Sequence, residues 1–377
     1  MMMLELPEHL LEEILCRVPA MSLKRLGSTC KGWNRLFKDR RFTRMHLDKG
    51  PKQFLIHMSK GLRVRSMSVD LHRLPHVKVT AEFSLTNPQY PLDEEFEIHK
   101  VSHCDGLLLC VCITKEDNTR LVVWNPCTGQ TRWIQRENCY DLYDNYSLGS
   151  YQDKRCNDNS YNILAHTGFG YDHKFQIYEI NSNSWRIIDA TFDFKLEYIG
   201  EGVSLKGKST YWIVSGEKEK RLGIFLISFD YTTERFERLR LPNKYPCSAT
   251  LSLSIVREEK LSMLSQRAIK SKPEIWVTNK IGETQVVSWT MVLAVYLQPG
   301  LCIWDGVSFW VDEKKKVVVC CDNLKDQGKT TKHIFGEDNK VKQVDFEVGS
   351  SLSCMFYYVP SLTQIYQGIT GKRKRDE

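Results

Sequence analysis

No run of eighteen apolar residues occurs in the 377-residue chain, which excludes an ordinary membrane-spanning helix. No C-x-x-C pair occurs either, and thirteen cysteines is an odd count for a disulfide framework. In a reducing compartment such thiols serve as small buried hydrophobes. The start lacks a secretory leader's basic and apolar regions, because Glu5, Glu8, Glu12 and Glu13 interrupt it. An intracellular protein is expected, in nucleus, cytoplasm or both, so the Asn145-Tyr146-Ser147 sequon carries little weight. No G-x-S-x-G is present, and ten scattered histidines select no catalytic partner.

Charge of one sign is scarce where a nucleic-acid binder would need it. The formal net charge is +7. Residues 1–49 hold ten Lys/Arg against six Asp/Glu, and residues 372–377 hold four against two. The long middle is therefore close to neutral, which argues against a basic nucleic-acid face there.

What is present begins with the first fifty residues. Leu10, Leu11, Ile14, Leu15 and Val18 recur with helical spacing and make an apolar stripe. Pro7 suits a first helical turn and Pro19 is expected to end the helix after Val18. Two further apolar sets follow, Leu23, Leu26 and Cys30, then Trp33, Leu36 and Phe37, with Ser22, Ser28 and Thr29 as candidate caps. Arg35, Lys38, Arg40, Arg41 and Arg44 make a basic end that reads as a solvated helix terminus. Three short helices bury little surface, so such a module borrows another surface to be stable.

Leu6-Pro7, the Glu12-Glu13-Ile14-Leu15 run, Val18-Pro19, Ser22-Leu23 and Cys30-Lys31-x-Trp33 resemble an F-box over residues 4–47. The F-box is the adaptor-docking module of SCF-type cullin–RING ubiquitin ligases. The resemblance implies contact with a Skp-family adaptor and, through it, with cullin and RING subunits. The residues it implicates are Leu6, Pro7, Leu10, Ile14, Leu15, Val18, Pro19, Leu23, Leu26 and Trp33. Some of these must pack the module itself, and the sequence does not divide the two sets.

After Gly50-Pro51 the helical period gives way to short alternating or aromatic runs. A repeated hairpin pattern emerges: an aromatic, a polar turn, and a second aromatic. Its copies are Trp124 to Trp133, Tyr178 to Trp185, Phe229 to Phe236 and, with a longer turn, Trp276 to Trp289. A period near fifty residues, with simpler strands at 106–112, 208–214 and 258–264 between the copies, predicts a kelch-like β-propeller of about six blades. A β-sandwich is the alternative. Ring closure is expected between 54–58 and 355–359, which removes exposed edges. The expected fold class is thus mainly β with a small three-helix module: residues 1–49, a β domain over 50–368, and a basic flexible tail over 369–377.

Cys104-Asp105-Gly106-Leu107, Val123-Trp124-Asn125-Pro126-x-Thr128-Gly129, Gly168-Phe169-Gly170-Tyr171-Asp172, Ser184-Trp185-Arg186 and Tyr358-Val359-Pro360-Ser361-Leu362 resemble the type 1 F-box-associated domain. That kelch-like domain follows F-boxes in a large plant family. Its motifs mark turns and core positions rather than chemistry.

The polar, Tyr-rich stretch 137–161 reads as a long loop, disordered or serving recognition. Residues 323–330 end like a phosphate-binding loop, but Asn323 replaces its first glycine, which leaves a hairpin loop. His99, His103, Cys104, Cys110 and Cys112 are close in sequence, yet Cys110 and Cys112 share a strand face and read as core rather than as metal ligands. Cys320-Cys321 reads as strand core. No catalytic, cofactor or metal site is named. Lys372, Arg373, Lys374 and Arg375 form a candidate nuclear-import signal.

The reading these observations support is a substrate-recognition subunit of an SCF-type ubiquitin ligase, not itself an enzyme, holding an unidentified protein on its β domain. The alternatives are a propeller that binds or transforms a small molecule, and a nuclear nucleic-acid-binding scaffold.

Overall fold

The structure, a computed structural model, describes residues 6–51, 55–58, 63–70, 76–85, 97–113, 119–134, 144–153, 158–168, 173–190, 192, 196–216, 223–257, 259–268, 271–281, 287–295, 307–322, 331–336, 341–345 and 355–365. The 323–330 segment and the basic tail lie outside them.

The three expected helices, α1 (Glu8–Leu15), α2 (Ala20–Gly27) and α3 (Lys31–Leu36), are followed by a fourth, α4 (Arg40–Lys49). Helix α1 stops at Leu15 rather than Val18, and Pro19 is the N-cap of α2. Ser28 and Thr29 do not cap a start. Their hydroxyls donate back to the Arg25 and Leu26 carbonyls, which also accept from the Ser28 and Thr29 amides at the end of α2. The side-chain cap lies at α4, where Asp39 accepts from the Phe42 amide at 3.1 Å.

The β domain is a propeller built from six antiparallel sheets among the described residues. The N-terminal strands β1 (Leu55–Met58), β2 (Arg63–Asp70) and β3 (His76–Ser84) make three quarters of one blade. The next blade is β4 (Glu97–Cys104), β5 (Leu107–Ile113), β6 (Thr119–Trp124) and β7 (Thr131–Ile134). It is followed by β8 (Asn145–Asp153), β9 (Asp158–Thr167), β10 (Lys174–Glu179) and β11 (Ser184–Ile188). In the fourth blade the inner strand is broken into β12 (Leu196–Ile199) and β13 (Val203–Leu205), both paired with β14 (Ser209–Gly216). Strands β15 (Ile224–Asp230) and β16 (Arg235–Leu239) complete it. The fifth comprises β17 (Thr250–Val256), β18 (Lys260–Gln266), β19 (Glu274–Thr278) and β20 (Trp289–Ala294). The sixth comprises β21 (Ser308–Asp312), β22 (Val317–Asp322), β23 (Thr331–Phe335) and β24 (Val341–Asp345). The last strand, β25 (Met355–Tyr357), returns to the first blade and pairs antiparallel with β1, Ile56 opposite Phe356. Closure of the ring by strands from both chain ends leaves no open edge there.

The four aromatic hairpins of the sequence are the outer strand pairs of four consecutive blades. Tyr178 faces Trp185 and Phe229 faces Phe236 across their ladders. The second pair packs at a centroid distance of 4.8 Å. The alternating runs found between them are β5, β14 and β18. Left-handed residues sit at the inner turns, Asp105-Gly106 in one blade and Lys206-Gly207 two blades on.

The stretch 137–161 is not a loop throughout. Residues 145–153 and 158–161 lie in β8 and β9, the longest described strand pair. Strand β8 is an inner strand, and its small residues stand where neighbouring blades approach it closely. Gly149 lies against the Tyr231 ring, which an added Cβ would overlap. Small hydroxyls also join neighbouring inner strands: Ser102 accepts from the Leu148 amide at 3.1 Å, and Ser204 donates to the Leu148 carbonyl at 2.6 Å.

Strand direction gives the ring two unlike ends. All inner strands run the same way, so the turns from inner to second strand and from third to fourth share one end. That end carries short connections such as 105–106, 180–183, 206–208 and 231–234. At the other end the described strand termini are further apart in sequence, as between Leu239 and Thr250.

Candidate docking surface

Helix α1 is amphipathic in an unusual sense, because both of its faces carry apolar residues. One face, with Leu11 and Leu15, joins the core of the helical module, formed by Leu15, Cys16, Ala20, Leu23, Phe37 and Phe42. On the other face Leu10 and Ile14 stand one turn apart, with Leu6 a turn earlier, and they are 43%, 52% and 45% exposed. Burying a side chain of this size contributes about 1.5–3 kcal/mol, so leaving three of them in water is a cost that a covering partner would offset.

The structure divides the ten residues implicated by sequence. Leu6, Pro7, Leu10, Ile14 and Pro19 are exposed; Val18, Leu26 and Trp33 are half-buried; Leu15 and Leu23 are buried in the module. The exposed set is contiguous on α1 and at the start of α2, whereas Leu15 and Leu23 belong to the packing that holds those helices together.

The stripe is held in place by polar contacts behind it. Glu12, buried, takes both of its carboxylate oxygens to Arg41 of α4, at 2.6 and 2.7 Å. Glu13 pairs with Lys49 and Arg17, and the Lys49 hydrogen bond first, then the charges of both, hold its carboxyl below the usual range. His46, inside α4, shares a 2.8 Å hydrogen bond with the Val18 carbonyl, and burial lowers its pKa. The basic end expected to be a solvated helix terminus therefore includes Arg41 as the ion-pair partner of α1. These partners were not legible in sequence, since Glu12 and Arg41 are twenty-nine positions apart.

The helical module is seated on the short-turn end of the propeller. Cys127, in the turn between β6 and β7, and Leu362, beyond β25, are both buried in the module's own core. Their positions are fixed by Asn125, which is fully buried and uses all four of its hydrogen-bonding positions. Its amide donates to the Ser361 and Thr363 carbonyls at 3.2 and 2.7 Å, and its carbonyl accepts from the Cys127 and Thr128 amides. Ser361 and Thr363 hydroxyls both donate to the Asp105 carbonyl, and Tyr358 donates to that of Gly106. The Trp124-Asn125-Pro126 and Pro360-Ser361-Leu362 motifs, expected to mark turns, thus form one junction.

Elsewhere, the five residues considered as metal ligands are split by the sheet. Cys110 and Cys112 face one core layer, and Cys104 faces another. Burial raises the Cys112 thiol to about 12 and lowers the half-buried His103 imidazole to about 4. No group of three or more His, Cys, Asp or Glu able to hold a metal ion is found among the described residues. Sequence gave no sign of Glu201, which sits where the fourth inner strand breaks. Although Glu201 keeps exposed surface, desolvation by the strands around it raises its carboxyl pKa, and the nearby Lys100 ammonium partly offsets this.

Comparison with known proteins places both halves. The family described as F-box domain matches residues 3–45, and that described as F-box associated beta propeller domain matches residues 54–365. A probable F-box protein of Arabidopsis thaliana is 57% identical over 385 residues, spanning 100% of this chain and 90% of its own. An F-box/kelch-repeat protein of the same plant is 44% identical over 391 residues, spanning 99% of each. Among solved structures, the Aleuria aurantia lectin is 9% identical with a TM-score of 0.44, over 80% of this chain and 98% of the lectin.

Proposed function

The chain belongs to the F-box proteins that carry an F-box associated β-propeller domain, and on that premise we propose that it is the substrate receptor of an SCF-type ubiquitin ligase. The F-box docks a Skp-family adaptor, which brings cullin and RING subunits, and the propeller holds a protein target. The observation that carries this reading is the exposed stripe of Leu6, Leu10 and Ile14 on a module whose own core is packed from Leu15, Leu23, Phe37 and Phe42. The end of the ring opposite the helical module supplies the surface for the target, since loops on a rigid scaffold carry recognition.

In this role the protein breaks and forms no bond. Holding a target beside the conjugating enzyme raises the effective concentration of its lysines, which can reach millimolar for a well-matched tether. The complex assembles in the nucleus, the cytoplasm or both, with Lys372, Arg373, Lys374 and Arg375 as the nuclear-import signal.

The test is recovery of the adaptor. Co-expressed with a Skp-family adaptor, the wild-type chain retains it through gel filtration, and Leu10→Asp with Ile14→Asp releases it while the propeller stays folded. Equal recovery of the adaptor with both forms would overturn the assignment.

A further inference from the structure

The core of the helical module is not closed by the module itself. Cys127 and Leu362 are buried among Leu15, Cys16, Ala20, Leu23, Phe37 and Phe42, and come from the second blade and from the segment after the last strand. Leu362 belongs to the segment that directly follows β25, the strand that closes the ring on β1. Helix α4 in turn leads into β1. Ring closure therefore delivers Leu362 to the helices, and the helices lie at the strand it closes on. Asn125 ties the two inserted side chains together by bonding both their segments.

We infer that the turn at Cys127 and the segment 358–365 form a socket that positions the helical module, so that the α1 stripe and the end of the propeller opposite the module are held at a fixed relative orientation. The stripe lies on the α1 face turned away from the socket cluster. Cys127, Leu362 and Asn125 are positioning residues, buried at the junction between helices and propeller. The value of a fixed orientation rests on the receptor reading above, because a target lysine presented at one distance is encountered more often than one on a swinging tether. The socket itself does not depend on that reading.

The cysteines of the chain report on it directly. Cys16 and Cys127 are buried at the socket, Cys110, Cys112 and Cys320 are buried in the blades, and Cys30 and Cys247 are exposed. Maleimide labelling of the full-length protein, resolved by peptide mass spectrometry, is expected to modify Cys30 and Cys247 rapidly and to spare the other five in the wild type. In Leu362→Asp, Cys127 and Cys16 label at least about tenfold faster while Cys110, Cys112 and Cys320 stay protected. Leu362→Ala, which removes the wedge without adding charge, gives the same pattern in weaker form. Spin labels at Cys30 and Cys247, with Cys139, Cys156, Cys302, Cys321 and Cys354 replaced by Ser, give one narrow distance in the wild-type background and a broad distribution once Leu362→Asp is added. The inference is overturned by unchanged labelling of Cys127, by blade cysteines labelling together with it in both Leu362 variants, or by a distance distribution that does not broaden. Loss of adaptor capture by the wild type would remove the receptor reading and leave these results standing.

Discussion

Asn125 and Thr363, 238 positions apart, are joined by a 2.7 Å hydrogen bond from the Asn125 amide to the Thr363 carbonyl. Asn125 has no exposed surface, and with its three other bonds it is satisfied in full. Asn125→Asp exchanges two donors for acceptors and sets a carboxylate against two carbonyls. A loss of about 2–4 kcal/mol is expected, read as a lower urea midpoint. Asn125→Ala leaves the same carbonyls and amides unpaired but adds no charge, and is expected to cost less than Asn125→Asp.

The division of α1 between stripe and core predicts opposite results for neighbouring leucines. Leu10→Ala removes an exposed side chain and is expected to change stability by no more than about 0.5 kcal/mol. Leu23→Ala opens a cavity in a fully buried site and is expected to cost about 2–5 kcal/mol. Thermal melts of the two variants decide it; equal losses would show that the two faces of the module are not distinct.

Gly149 has no room for a methyl group beside the Tyr231 ring. Gly149→Ala is expected to destabilise the propeller by about 1–3 kcal/mol. Adding Tyr231→Leu to that variant returns part of the loss if the overlap is the cause. A double variant less stable than the sum of its parts would exclude that cause.

His166 gives the protein an acid-sensitive core. It is buried, 2.8 Å from His173, and burial first and the neighbouring imidazole second lower its pKa from 6.5 to about 3. Because the folded value is the lower one, the unfolded chain binds the proton first. This contribution is fully present above about pH 6.5 and is lost as pH falls toward 3. Between pH 6 and 4 it makes stability fall by up to about 1.4 kcal/mol per pH unit. Urea unfolding across that range is expected to show a shallower slope for His166→Gln than for the wild type.

Much of this protein was determined by its sequence alone, and the reason is local. The spacing of Leu10, Ile14 and Leu15, Pro7 at a helix start, and aromatic pairs flanking Asn- and Gly-containing turns each fix conformation within a few residues. Repetition then turns one hairpin into a ring of blades. Tertiary structure decided what depends on distant partners. The polarity of 145–153 reads as a loop until the ladder with β9 shows a strand and the Tyr231 ring beside Gly149 shows why a small residue stands there. Leu15 and Ile14 are adjacent and alike in sequence, yet one is core and the other exposed, because only packing against α2, α3 and Leu362 tells the two faces of α1 apart. The Trp124-Asn125-Pro126 and Pro360-Ser361-Leu362 motifs were visible as turns. That they meet, and carry the helices between them, followed only once β25 had closed the ring on β1.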